Sequence, residues 1–229
     1  MLRLENVVAG FDGFTLRVDL SLDAGARLAV LGPSGGGKTT LLSLVAGFLS
    51  PDAGRIWING QDMTNRPVQD RPLSILFQEG NLFPHLSAFD NVALGLRTNL
   101  KLSEADQSDV SAALEKVGLG GMGARMPGDL SGGQRSRVAL ARMLLRRKPL
   151  ALLDEPFAAL DPGLRREMLA LVGELCAAES LTLVMVSHDL REAETLCSDL
   201  CLLEKGAVSL SGPLAPMLAA PPGALKPWL

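Results

Sequence analysis

Residues 32–40 read Gly32-Pro33-Ser34-Gly35-Gly36-Gly37-Lys38-Thr39-Thr40 and fit G-x-x-x-x-G-K-[ST], with an apolar run at 28–31 before them and helical text after. Glycines let successive backbone N–H groups turn inward and approach phosphate oxygens. The helix that follows adds unpaired N–H donors and the positive end of its dipole. Lys38 supplies a mobile point charge for β- and γ-phosphates, and Thr39 offers a hydroxyl to Mg2+. A glycine-rich turn arises by chance too, but the strand before and the helix after make nucleotide binding the expected chemistry.

Two acids close a second apolar run, Leu150-Ala151-Leu152-Leu153-Asp154-Glu155. Asp154 then falls at the C-terminal end of a strand, in the crevice where α/β sheets bind ligands, placed to hold the water shell of Mg2+. Glu155 is placed to polarise a water attacking the γ-phosphate, help worth roughly 10²–10⁴ in rate. By itself an Asp-Glu pair is usually a helix cap. The apolar run before it and the phosphate loop upstream favour the catalytic reading.

A third group, Leu130-Ser131-Gly132-Gly133-Gln134, stands before helical text, so its N–H groups and the Ser131 hydroxyl form a second anion site. Read in isolation it is equally a loop and a cap. His188, in Val186-Ser187-His188-Asp189, follows the apolar run 181–186. A lone His at a strand end is ordinarily a satisfied polar residue.

These residues need a scaffold. Leu2 to Val8, then Leu16, Val18, Leu20 and Leu22, alternate with polar residues, as one wet face of an antiparallel sheet requires. The short continuous runs 28–31, 75–77, 150–153 and 181–186 suit strands buried on both faces. Ser103-Glu104-Ala105-Asp106 caps a helix running to about Val117, with Gly118 as its stop. A second helix runs from Gln134 to about Arg147. A third starts at Asp161-Pro162 and reaches about Glu179. Strands alternating with helices predict an α/β fold around a mainly parallel sheet. That fold carries an N-terminal antiparallel β-subdomain and a helical subdomain inserted at about 84–145, in a single domain over 1–229. The proline-bearing tail after Gly212 reads as loosely packed.

Composition bounds the function. Against 25 Asp+Glu stand 22 Lys+Arg, a net charge of −3, which gives nucleic acid no attracting field. The 47% hydrophobic content fits a buried parallel sheet or a partner surface. No apolar stretch approaches a bilayer span, and the first residues lack a signal peptide's apolar core, so a cytosolic place is expected. Cys176, Cys197 and Cys201 read as reduced core thiols.

A phosphate loop alone leaves kinases, GTPases and helicases open. With Leu130-Ser131-Gly132-Gly133-Gln134 the sequence resembles the ATP-binding cassette family, and over essentially the whole chain. The phosphate loop, Gln78 after the 75–77 strand, the signature, Asp154-Glu155, Ala159-Leu160-Asp161 and His188 follow in the family's order. The resemblance implies a P-loop (RecA-like) fold, ATP and Mg2+ as cofactors, and an ATPase that works as a pair of copies. In such a pair the signature of one copy closes on ATP held by the other's loop. It also implies roles: Gln78 touching Mg2+ and the attacking water, His188 contacting the γ-phosphate, Asp161 reaching across the dimer, and Phe11 stacking on adenine. Phe14 stands close enough to be the platform instead.

Residues 71–87 and 46–51 are similar to the cassettes of bacterial thiamine importers, with importers of polyamines, iron or sulfate closely related. This implies uptake of thiamine or its phosphates, transmembrane permease subunits as partners, a periplasmic solute-binding protein as an indirect one, and a peripheral place on the cytoplasmic face of the inner membrane. About 40 residues follow His188, too few for the regulatory domain of many sugar-importer cassettes. A soluble cassette ATPase of DNA repair or translation is the alternative from another class. The coiled-coil or zinc insert expected there is missing. A small-molecule kinase has no use for the signature.

Overall fold

The computed structural model describes residues 1–11, 13–77, 81–158 and 160–229. They fall into two compact units: 1–73, 149–155 and 172–229 in the first, and 74–148 and 156–171 in the second.

In the first unit, β1 (Leu2–Phe11) and β2 (Phe14–Leu22) form an antiparallel pair, and β2 alternates buried and exposed as its sequence alternates. β4 (Ala53–Ile58) pairs antiparallel with β1, and β5 (Gln61–Asp62) with β4. The parallel part is different in kind. β3 (Arg27–Leu31), β7 (Leu150–Asp154), β8 (Thr182–Val186) and β9 (Asp199–Glu204) run parallel and are buried almost throughout. Apolar residues on both faces of each strand permit this only if helices cover the sheet on both sides. β10 (Ala207–Pro213) pairs antiparallel with β9 and parallel with β2, which joins the two halves in the order β5-β4-β1-β2-β10-β9-β3-β8-β7.

Helix α1 (Lys38–Ala46) follows β3 and buries Leu41, Leu42, Leu44 and Val45. Its C-terminal end is closed twice. Gly47 takes the left-handed conformation and donates to Ser43 and Leu44 carbonyls. Arg71, 2% exposed, donates to the carbonyls of Leu44 (2.6 Å) and Val45 (2.8 Å). A buried guanidinium at the negative end of the helix dipole both pairs orphan carbonyls and neutralises their charge.

β6 (Leu73–Leu76) is the strand in which the chain enters the second unit. There α2 (Ala88–Ala93), α3 (Glu104–Lys116) and α4 (Gly132–Leu145) pack together around Val92, Val110, Leu114, Val138 and Leu140. α5 (Pro162–Ala178) begins in this unit and ends in the first, where α6 (Leu190–Leu196) and α7 (Leu214–Ala219) also lie.

Three expectations need correction. The strand expected at 75–77 lies at Leu73–Leu76, and α4 begins at Gly132, two residues before Gln134. Ser131 supplies the cap that starts that helix early. The tail after Gly212 is not loose: α7 forms, Leu214 is 3% exposed and Leu225 fully buried. Pro213 is the N-cap residue of α7 and Pro216 lies in its first turn, where the missing N–H breaks no helical bond.

Candidate active site

The loop between β3 and α1 is held against β9. A Cβ added to Gly32 would run into the Leu203 carbonyl, so only glycine allows the approach. The loop closes on itself through Gly36 N–H to the Pro33 carbonyl (3.0 Å) and is held by Gly206 N–H to the Gly36 carbonyl (3.1 Å). Gly37, at φ 104, precedes α1 without any side-chain cap, so the helix's first-turn N–H groups stay open. Lys38 is buried to 8% exposure, and its Nζ donates to the carbonyls of Gly32 (2.7 Å) and Pro33 (3.0 Å). An ammonium has three donors, so the loop fixes the charge and leaves one for an anion.

At the end of β7 the two acids part. Asp154 is half-buried, and burial, then the neighbouring Glu155 charge, push its carboxyl above the usual range against the pull of Lys38. Glu155 turns out of the strand at φ 45, a left-handed conformation costing a non-glycine residue of order 1 kcal/mol. Its N–H is pinned by the Val186 carbonyl at 3.1 Å. The turn places Glu155 Oε2 3.4 Å from His188 Nδ1.

His188 in turn is set by what lies beside it. Ser187, 1% exposed, donates from its backbone to the Val30 carbonyl (3.2 Å) and from its hydroxyl to Glu192 Oε2 (2.6 Å). The Ser187 Oγ accepts from Asp189 N–H (3.0 Å), and Asp189 caps α6 through Arg191 N–H (2.9 Å). Glu192, buried on α6, thus braces the turn that carries the histidine.

Residues 32–40, Phe14, Glu155, His188 and Trp228 line one cleft of about 480 Å³. Phe11 faces Phe14 across the β1–β2 pair and is 38% exposed, but Phe14 is the one on the cleft wall. Sequence reasoning did not find Arg71, Glu192 or Trp228. Arg71 bonds to carbonyls far back in the chain, Glu192 meets Ser187 across a turn that no periodicity marks, and a Trp three residues past a lone buried Leu225 offers little pattern. Gln78 lies outside the described residues.

In the second unit, Ser131 caps α4 in a reciprocal box: its Oγ accepts from Gln134 N–H (3.2 Å), and Gln134 Oε1 accepts from Ser131 N–H (2.9 Å). Gly133 packs so closely on Leu164 that an added Cβ would overlap that side chain. Gly132 and Gly133 contribute the remaining N–H groups of the first turn. Asp161 Oδ1 accepts from Gly163 N–H (3.1 Å) and Leu164 N–H (3.0 Å), starting α5. Ser131, Gly133, Gln134, Arg137 and Leu164 share a shallow cleft of about 210 Å³.

The family model described as "ABC transporter" matches residues 16–158. The chain is 60% identical to the thiamine import ATP-binding protein ThiQ of Jannaschia sp. (strain CCS1) over all of both chains. It is 48% identical to the ThiQ of Cereibacter sphaeroides over 100% of this chain and 99% of that one. With the ThiQ of Escherichia coli (strain K12) it shares 46% over 93% and 91%. Among solved structures, cbiO1 from Clostridium perfringens, part of the transporter complex cbiONQ, superposes at a TM-score of 0.86 with 28% identity over 96% and 90% of the chains. The dimeric post-hydrolysis state of the ATP-binding cassette MJ0796, bound to ADP and Pi, superposes at 0.80 with 28% identity over 93% and 99%.

Proposed function

The chain belongs to the ABC transporter family, and on that premise we propose that it is the ATP-hydrolysing subunit of an importer that takes up thiamine or its phosphates. The observation that carries the substrate is the 60% identity along the full length to a thiamine import ATP-binding protein. The cleft supports the chemistry.

In this reading the open first turn of α1, the amides of residues 32–37 and Lys38 take the β- and γ-phosphates of ATP, with Thr40 beside them and Phe14, rather than Phe11, offering adenine an aromatic face from the cleft wall. Thr39 and Asp154 are oxygen donors suited to a hard divalent ion, and Gln78 joins them. Bound there, Mg2+ supplies neutralising charge to the phosphate oxygens. Glu155 accepts the proton of the attacking water as its oxygen bonds to the γ-phosphorus and ADP leaves. His188, oriented by Ser187 and Glu192, steadies Glu155 through Nδ1 and reaches the γ-phosphate with its other nitrogen.

A second copy completes each site with Ser131, Gly132, Gly133, Gln134 and Asp161. The helical stretch 84–145 acts as a subdomain inserted in one ATP-binding domain. Transmembrane permease subunits receive the motion, and a periplasmic solute-binding protein delivers the solute. No helix of the described residues is long and apolar enough to cross a membrane. As the partner of those permease subunits, the chain acts as a peripheral subunit on the cytoplasmic face.

The test is uptake of labelled thiamine by cells lacking this chain, rescued with wild type or Glu155→Gln. Rescue by wild type alone is expected. Thiamine uptake unchanged by the deletion would overturn the substrate and leave the ATPase, sending the search to polyamines, iron and sulfate.

A further inference from the structure

We propose that Trp228 is a nucleotide-binding residue, an aromatic wall that the C-terminal tail folds to present to the base and ribose of ATP. This rests on the ATPase reading above.

The tail is built to hold the indole in place. Leu214 N–H donates to the Ser198 carbonyl (2.9 Å), tying the start of α7 to the turn before β9. Leu225 is fully buried, its N–H donates to the Pro222 carbonyl (3.0 Å), and Trp228 N–H donates to the Leu225 carbonyl (2.9 Å). A short 3-10 turn, Lys226–Trp228, then brings the indole to the cleft that also holds the phosphate loop, Glu155 and His188. There Trp228 is neither sunk into the core nor left in solvent; it is half-buried.

The chemistry of the wall decides the ligand. Residues 32–40 present amides, hydroxyls and one ammonium, which suit the anionic end of a nucleoside triphosphate. Phe14 and Trp228 are the large aromatic groups on the same cleft. An aromatic face matches the purine and offers bare phosphate nothing, and an indole N–H matches a ribose oxygen, so it is stacking on the base that separates ATP from inorganic phosphate here. The same ligand thus has both of its ends answered.

The chain has two Trp and no Tyr, so the proposal is directly measurable. Trp57 sits away from the cleft on β4, bonded to Glu5 (2.7 Å) and under the Arg3 guanidinium. In full-length Trp57→Phe, MgATP should quench or shift the emission of Trp228 in a saturable way. Calorimetry should show Trp228→Ala weakening MgATP binding by roughly three- to tenfold, with Trp228→Phe recovering most of it. Binding of inorganic tripolyphosphate should be unchanged in Trp228→Ala. Silent emission while wild type binds MgATP, MgATP affinity that is unchanged or tighter in Trp228→Ala, or equal losses for MgATP and tripolyphosphate would each overturn the proposal alone. If wild type itself fails to bind MgATP, the ATPase reading falls and takes this one with it.

Discussion

Helices α1 and α4 both follow glycine-bearing polar text, yet their N-termini are finished in opposite ways. Gly37 gives α1 no side-chain cap, and Lys38 stands in its first turn. Ser131 and Gln134 cap α4 with each other, and the cation of its first turn, Arg135, is already engaged with the Leu130 carbonyl (2.6 Å). The phosphate loop therefore keeps donors and a charge waiting for an anion. The signature is stable without one, with Gly132 and Gly133 as its unclaimed donors. On the proposed function, this is the difference expected between an anion site that binds alone and one that serves only when a second copy brings the nucleotide.

The largest expected effect tests how rigidly each glycine is held. Gly32→Ala meets a backbone carbonyl that cannot move, and should destabilise by about 3 kcal/mol, lowering Tm by about 6–12 °C in a thermal melt. Gly133→Ala meets only the end of Leu164, and helix propensity favours Ala, so its change should stay within about 1 kcal/mol. Equal losses would mean that the two loops are equally constrained.

Binding separates the two sites next. Lys38→Ala should weaken MgATP binding by about ten- to hundredfold in calorimetry on the isolated chain. Ser131→Ala should leave that affinity unchanged and instead lower stability by about 0.5–2 kcal/mol in denaturant unfolding, the usual loss on removing a cap. A drop in monomer affinity for Ser131→Ala would erase the distinction. Smallest is Glu167→Gln, which breaks the 2.6 Å pair with Arg137 beside the signature. With Glu167 66% exposed, the effect on stability should be below about 0.5 kcal/mol.

The same contrast explains what the sequence makes legible. Capping and loop closure are local, so the strand–loop–helix around Lys38 and the helix starting at Ser103 are readable from adjacent residues. Ser103 and Asp106 form the capping box that their spacing predicts, although α3 stops at Lys116 with Val117 as its cap. Buried parallel strands announce themselves by continuous apolar runs. Strand β4 does not, since Trp57 and Ile58 lie among Gly54, Arg55 and Asn59. β9 carries such a run, Leu200-Cys201-Leu202-Leu203, yet is not among the runs read as strands from sequence, whereas β10 is interrupted by Ser209, Ser211, Gly212 and Pro213, which suggest a loop. Arg71 on α1 and Trp228 on the cleft are meetings of residues far apart in the chain, and no local pattern encodes them; Glu192 meets Ser187 only five residues away, but across a turn that no periodicity marks.

The left-handed turn at Glu155 sets folding and turnover against each other. Glycine there would relieve the strain at φ 45 and leave the Val186 contact in place, since that bond uses only the backbone. It would also remove the carboxylate assigned to the attacking water. Screens for heat tolerance alone would therefore be drawn toward inactive chains at this position, and a selection that keeps Glu155 must demand transport at every round.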